Sequence, residues 1–173
     1  MKGEVLGTID FNGNSLQVLK RKGDLLSKIY ARQEKSEDLL KLLVEWASSE
    51  ASNSRVLALY VFEVLSDCHL TPEQMTKYQE SFMNIFSKSL TDRDVKVRVA
   101  ALKATTAFLT SIDDSDHVMN YQGVIPQMLN TVVEALKEDE TEGRQALDSM
   151  NELTSVHPEI WKNSTALLVN VVS

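Results

Sequence analysis

The chain has 173 residues, 43% hydrophobic and 25% charged, a balance that excludes a disordered tail and suits one cored domain or about four helix pairs of roughly 40 residues each. Its formal net charge of −7 repels a phosphate backbone, which argues against nucleic acid and for basic protein partners. Cys68 is the single cysteine, so no internal disulfide forms, and neither an apolar run of about 20 residues nor a signal-peptide core is present; the reading is a cytosolic or nuclear protein with no membrane partner.

Taken in chain order, apolar residues at helical spacing predict helices at about 2–9, 15–32, 36–48, 53–67, 72–90, 93–112, 117–137, 142–155 and 158–172. A turn at Asp10-Phe11-Asn12-Gly13-Asn14 separates the first two. Leu39, Leu43 and Trp46 stripe the third helix, and Leu57, Val61, Val64 and Leu65 the fourth. Thr71-Pro72-Glu73-Gln74 opens the fifth: Thr71 caps, Pro72 fits the first turn and Gln74 completes a capping box. Its stripe is Met75, Tyr78, Phe82, Ile85 and Phe86. Thr91 or Asp92 caps the sixth, striped by Val95, Val99, Leu102, Thr106 and Leu109. Leu147, Met150 and Thr154 stripe the eighth, and His157-Pro158-Glu159 opens the ninth. No segment alternates with period two, so the expected fold is all-α, and short polar linkers make consecutive helices antiparallel hairpins.

The second helices repeat. Arg21, Arg55, Arg98 and Arg144 recur at intervals of 34, 43 and 46 residues, and Ala58, Ala101 and Ala146 follow the last three, small enough to let helix backbones approach. This implies repeats at about 1–33, 34–69, 70–113 and 114–156, with a further one starting at 157–173. A lone helix pair has too little core, so such pairs stack into an α-α superhelix. The stretch from Leu90 to Leu102 resembles the HEAT consensus, with Asp92, Val97, Arg98 and Ala101 at its marked positions. Asp92, Arg98, Arg55 and Arg144 are therefore read as structural ties, the arginine reaching an acid in the preceding turn or one repeat away. Ser49 and Glu138 stand where the second and fourth repeats would carry the Asp, so a complete Asp–Arg ladder is not expected.

Val95-Lys96-Val97-Arg98-Val99-Ala100-Ala101-Leu102-Lys103-Ala104, Tyr121-Gln122-Gly123-Val124-Ile125-Pro126-Gln127-Met128-Leu129, the acidic loop that follows, Gln145 to Leu153, and the proline-led His157-Pro158-Glu159-Ile160-Trp161 together resemble importin-β receptors, most closely the karyopherin beta-3 branch. The resemblance covers nearly the whole chain and lies in repeat register, not in one motif. It implies a fragment of a HEAT-repeat nuclear import receptor, at work in cytoplasm, nucleus and nuclear pore, that binds GTP-loaded Ran, protein cargo with basic signals and Phe-Gly nucleoporins. In such receptors second helices line the concave partner-facing surface, and gaps between the outer first helices accept a nucleoporin Phe. The partner-facing candidates here are Glu63, Asp67, Asp148 and Glu152 on second helices, with the acidic loop residues Glu138, Asp139 and Glu140 behind them. The alternative is another HEAT scaffold, a phosphatase or translation-factor subunit acting as an adaptor.

No chemistry of catalysis stands out. His69, His117 and His157 lack metal-ligand spacing, Cys68-His69 has no orienting group, and the six glycines are scattered instead of forming a phosphate loop. The reading is a non-enzyme with no cofactor.

Overall fold

The computed structural model of the chain describes residues 20–21, 36–68 and 72–161. Of the predicted helices, 2–9 and 15–32 (Lys20 and Arg21 apart), the Thr71 cap and the stretch from 162 onward lie outside the described residues. Among the described residues the chain is helical and has no strand. The helices are α1 Ser36–Ala47, α2 Ser52–Cys68, α3 Pro72–Lys77, α4 Gln79–Leu90, α5 Val95–Thr110, α6 Ser115–Met119, α7 Ile125–Glu138 and α8 Glu140–Val156, with 3-10 turns at Gln122–Val124 and Pro158–Trp161.

Local sequence sets the ends. Asp94 caps α5 by accepting the Lys96 N–H at 2.9 Å. Asp139 caps α8, accepting from Thr141 and Glu142 at 2.8 and 3.1 Å, and Asp114 caps α6. Thr91 and Asp92, the caps expected for α5, do other work: the Thr91 hydroxyl donates back to the Ser87 carbonyl, and Asp92 accepts the Asp94 N–H. Two predicted helices are broken. The one at 72–90 bends at Tyr78 (φ −104°, ψ 10°), which leaves α3 and α4 in sequence. A single non-helical residue keeps the apolar stripe nearly in phase, so spacing alone does not reveal it. The one at 117–137 divides into α6, a 3-10 turn and α7, because Pro126 has no N–H to continue a helix and sits in the first turn of α7.

The helices form two layers. α1, α4 and α7 lie side by side in one, and α2, α5 and α8 in the other. α1–α2, α4–α5 and α7–α8 are the hairpins that join the layers. α5 packs against α2, α4, α7 and α8 at once, which explains its nearly all-round burial. Between the layers, Phe62 of α2, Phe82 and Phe86 of α4 and Phe108 of α5 meet at centroid distances of 4.9–5.4 Å for the closest pairs. Tyr121 continues the cluster edge-on to Phe108 at 5.0 Å.

Arginines tie successive hairpins together. Arg55 donates to both carboxylate oxygens of Asp92, 37 residues on, at 2.9 and 3.2 Å, and to the carbonyls of Ser49 and Glu50 in its own hairpin. Arg98 repeats the geometry one hairpin later. It donates to the Asp92 carbonyl at 2.8 Å and to Glu138, 40 residues on, at 2.5 Å, with Glu134 at 3.7 Å. Each arginine thus closes its own loop and grips the next. At the Ser49 position the backbone carbonyl serves where a side chain was sought.

Arg144 does not join this series. It is exposed and pairs with Glu140 in its own helix. Arg98 stands four residues after its cap Asp94, and four residues after Asp139 stands Gly143, which is buried. The ladder position of the fourth repeat is therefore Gly143, and the sequence register placed Arg144 one residue too far along. The reason is steric: a Cβ at 143 would lie 2.7 Å from the Leu136 Cα on α7, so no larger residue enters there.

Candidate partner-binding surface

The outward edges of α2, α5 and α8 line two adjoining clefts. The first, of about 330 Å³, is bounded by Glu63 of α2, Lys103 and Ala107 of α5, and Gln145, Asp148, Ser149 and Glu152 of α8. Three of the partner-facing candidates thus share one cleft. Asp148 and Glu152 lie one turn apart on α8, both exposed, and neither has an ion pair among the described residues. Asp67 lies one turn beyond Glu63 on α2; its side chain is outside the described residues.

The acidic loop residues are placed differently. Glu138 holds Arg98, Asp139 caps α8 and Glu140 holds Arg144. Their carboxylates have local structural partners, whereas Asp148 and Glu152 point their charge at solvent.

The second cleft, of about 250 Å³, lies against the first and shares Glu63, Lys103 and Gln145 with it. It adds Lys20, Tyr60, Lys96 and Glu142 over an apolar floor of Val56, Val99 and Ala100. Lys96 and Lys103 lie in the Val95–Ala104 stretch that carries the family resemblance, and no binding role was expected of them. The available signal was the interval of seven between Lys96 and Lys103, two helical turns, which puts both on one face of α5.

On the opposite layer, α1 and α4 leave a groove of about 190 Å³ lined by Val44, Ala47 and Ser48 from the first hairpin and Asn84, Ile85 and Lys88 from α4. Val44 is 40% exposed there.

None of these clefts assembles a nucleophile with a base. Ser115, Glu159 and His157 do come together, but with the carboxylate in the middle: its own backbone N–H, His157 and Ser115 hold the Glu159 carboxyl below its usual range. That arrangement clips α6 to the final turn and puts the serine on a carboxylate of lowered basicity instead of on the histidine. Among the described residues no His, Cys, Asp or Glu cluster could hold a metal, and no helix is long and apolar enough to cross a membrane.

The family described as IPO5-like, TPR repeats matches residues 20–171. A probable importin-5 homolog of Dictyostelium discoideum is 23% identical over 140 residues, which cover 80% of this chain and 13% of that protein. The chain therefore spans a small part of the length of the curated relative it matches. No solved structure matches it. The family match runs through every hairpin built above, and the chain belongs to the IPO5-like repeat family of importin-β-type helical scaffolds.

Proposed function

We propose that this chain is a working segment of a nuclear import receptor of the karyopherin beta-3 branch, moving between cytoplasm and nucleus through the nuclear pore. It carries no catalytic role; its second helices hold protein cargo with basic signals or GTP-loaded Ran, and its first helices meet Phe-Gly nucleoporins. The observation that carries this reading is the acidic cleft of Glu63, Asp148 and Glu152 on the second-helix face of a chain in this family. Asp148 and Glu152 form no ion pair among the described residues, and three carboxylates face the single ammonium of Lys103 in this cleft, so a lysine or arginine from a partner meets net negative charge. Asp67, one turn after Glu63 along the α2 backbone, belongs to the same proposed acidic set, and Glu138, Asp139 and Glu140 add field from behind without direct contact.

Each exposed ion pair is worth only about 0.2–1 kcal/mol, so recognition needs several together and weakens with salt. The groove between α1 and α4, with its apolar lining of Val44, Ala47 and Ile85, suits an aromatic side chain.

The test is binding of GTP-loaded Ran to the chain, with the GDP form as control, at low and high salt. A parallel titration uses a lysine-rich peptide and the double variant Asp148→Lys with Glu152→Lys. We expect nucleotide-selective binding that weakens with salt, and loss of the lysine-rich peptide in the variant. Equal binding of both nucleotide forms, or none, removes Ran from these repeats; an unaffected peptide removes the acidic cleft.

A further inference from the structure

We propose that the cleft beside the acidic one is a dock for an acidic segment of a partner protein, so that the second-helix face is a trough whose charge reverses along its length. Lys20, Lys96 and Lys103 bring three ammonium groups to its rim, against the carboxylates of Glu63 and Glu142. Lys96 is exposed and has no ion pair among the described residues. The Lys103 ammonium donates to the neutral Gln145 side chain at 2.5 Å and has no ion pair among the described residues. The Lys20 ammonium sits 5.1 Å above the Tyr60 ring centroid, which fixes its position without neutralising it.

Beneath the lysines the floor of Val56, Val99 and Ala100 is apolar. A cleft of this kind matches a short extended segment with carboxylates on either side of one apolar side chain. The carboxylates meet the lysines while the apolar group covers the floor, and charge complementarity fixes the register. Nucleic acid also carries negative charge, but Glu63, Glu142 and the chain's net charge of −7 oppose a continuous phosphate backbone. The proposal stands on the lysines alone and holds whether or not the neighbouring acidic cleft takes basic cargo.

The probe is a fluorescein-labelled heptapeptide of glutamates around a central phenylalanine, titrated by anisotropy with the full chain. Controls are the lysine counterpart of the peptide and a DNA oligonucleotide. We expect saturable, salt-sensitive binding of the acidic peptide, weakened about tenfold or more by Lys96→Glu together with Lys103→Glu, since two attractive contacts become repulsive. Glu142→Gln should tighten it, and Asp148→Lys with Glu152→Lys should not weaken it. Lys96→Glu alone serves if the double variant loses helicity: residue 96 is exposed in the first turn of α5, where a carboxylate favours the helix. The proposal is overturned if the acidic peptide does not saturate, if Lys96→Glu leaves its affinity unchanged, or if the oligonucleotide binds as well.

Discussion

Among the described residues Tyr121 is the largest fully buried side chain, and its hydroxyl has no hydrogen-bond partner among them. The ring belongs to the aromatic core against Phe108, while the hydroxyl bears an uncompensated loss of water. The same burial pushes the phenol well above its usual range. The unfolded chain therefore releases this proton first, and as pH rises past about 10 the unfolded state binds fewer protons and folding stability falls. Tyr121→Phe keeps the ring and removes both penalties. It should leave stability unchanged or raise it by about 1 kcal/mol near neutrality. The advantage over the parent should widen above pH about 10. Thermal melts of both proteins at neutral and alkaline pH check this. A variant less stable than the parent at both would mean that the hydroxyl is bonded in solution.

At the scale of the element, the α7–α8 hairpin combines the Asp139 cap with a close contact at Gly143. Gly143 lies inside a helix, where replacing glycine by alanine ordinarily gains up to about 1 kcal/mol. Here the added Cβ would meet Leu136 backbone at 2.7 Å. Gly143→Ala should instead destabilise by about 1–3 kcal/mol, as overpacking does, measured by urea unfolding; a stabilised variant would show that the hairpin opens at no cost. The same glycine explains a limit of sequence reading. Arg55 and Arg98 stand at one register position, and a neighbouring arginine invites a third assignment to Arg144, but only the α7–α8 approach reveals that position 143 is the equivalent one. The helical stack itself was legible, because α2, α5 and α8 each keep an apolar stripe in the three described hairpins. The break at Tyr78 was not, since one non-helical residue keeps the stripe nearly in phase, whereas Pro126 stood in the sequence as a breaker within 117–137. In the candidate site, Glu63, Asp148 and Glu152 were legible as polar residues on second helices. Lys20 and Tyr60 were not, because they lie 40 residues apart and only packing joins them.

At the scale of the molecule, cohesion between the described hairpins depends on shared apolar faces and on the two arginine rungs seen among the described residues. An array of this kind unfolds as one unit only while the interfaces between repeats are strong enough to couple them. The Arg55–Asp92 rung is suited to that coupling: both side chains are mostly buried, at 9% and 14% exposure, and the contact is bidentate. The Arg144–Glu140 pair is its internal control, being exposed at 74% and 79% and confined to one helix. A double-mutant cycle of Arg55→Met and Asp92→Asn should therefore give a coupling of about 1–3 kcal/mol, as expected for contacting residues in one network. The cycle of Arg144→Ala and Glu140→Ala should give no more than about 0.5 kcal/mol. Arg55→Met should also lower the apparent denaturant slope or split the transition, because the α1–α2 hairpin then opens ahead of the rest. Equal couplings in the two cycles, with a single transition of unchanged slope, would mean that the apolar interfaces alone make the stack cooperative and that the ladder only sets the register between neighbours.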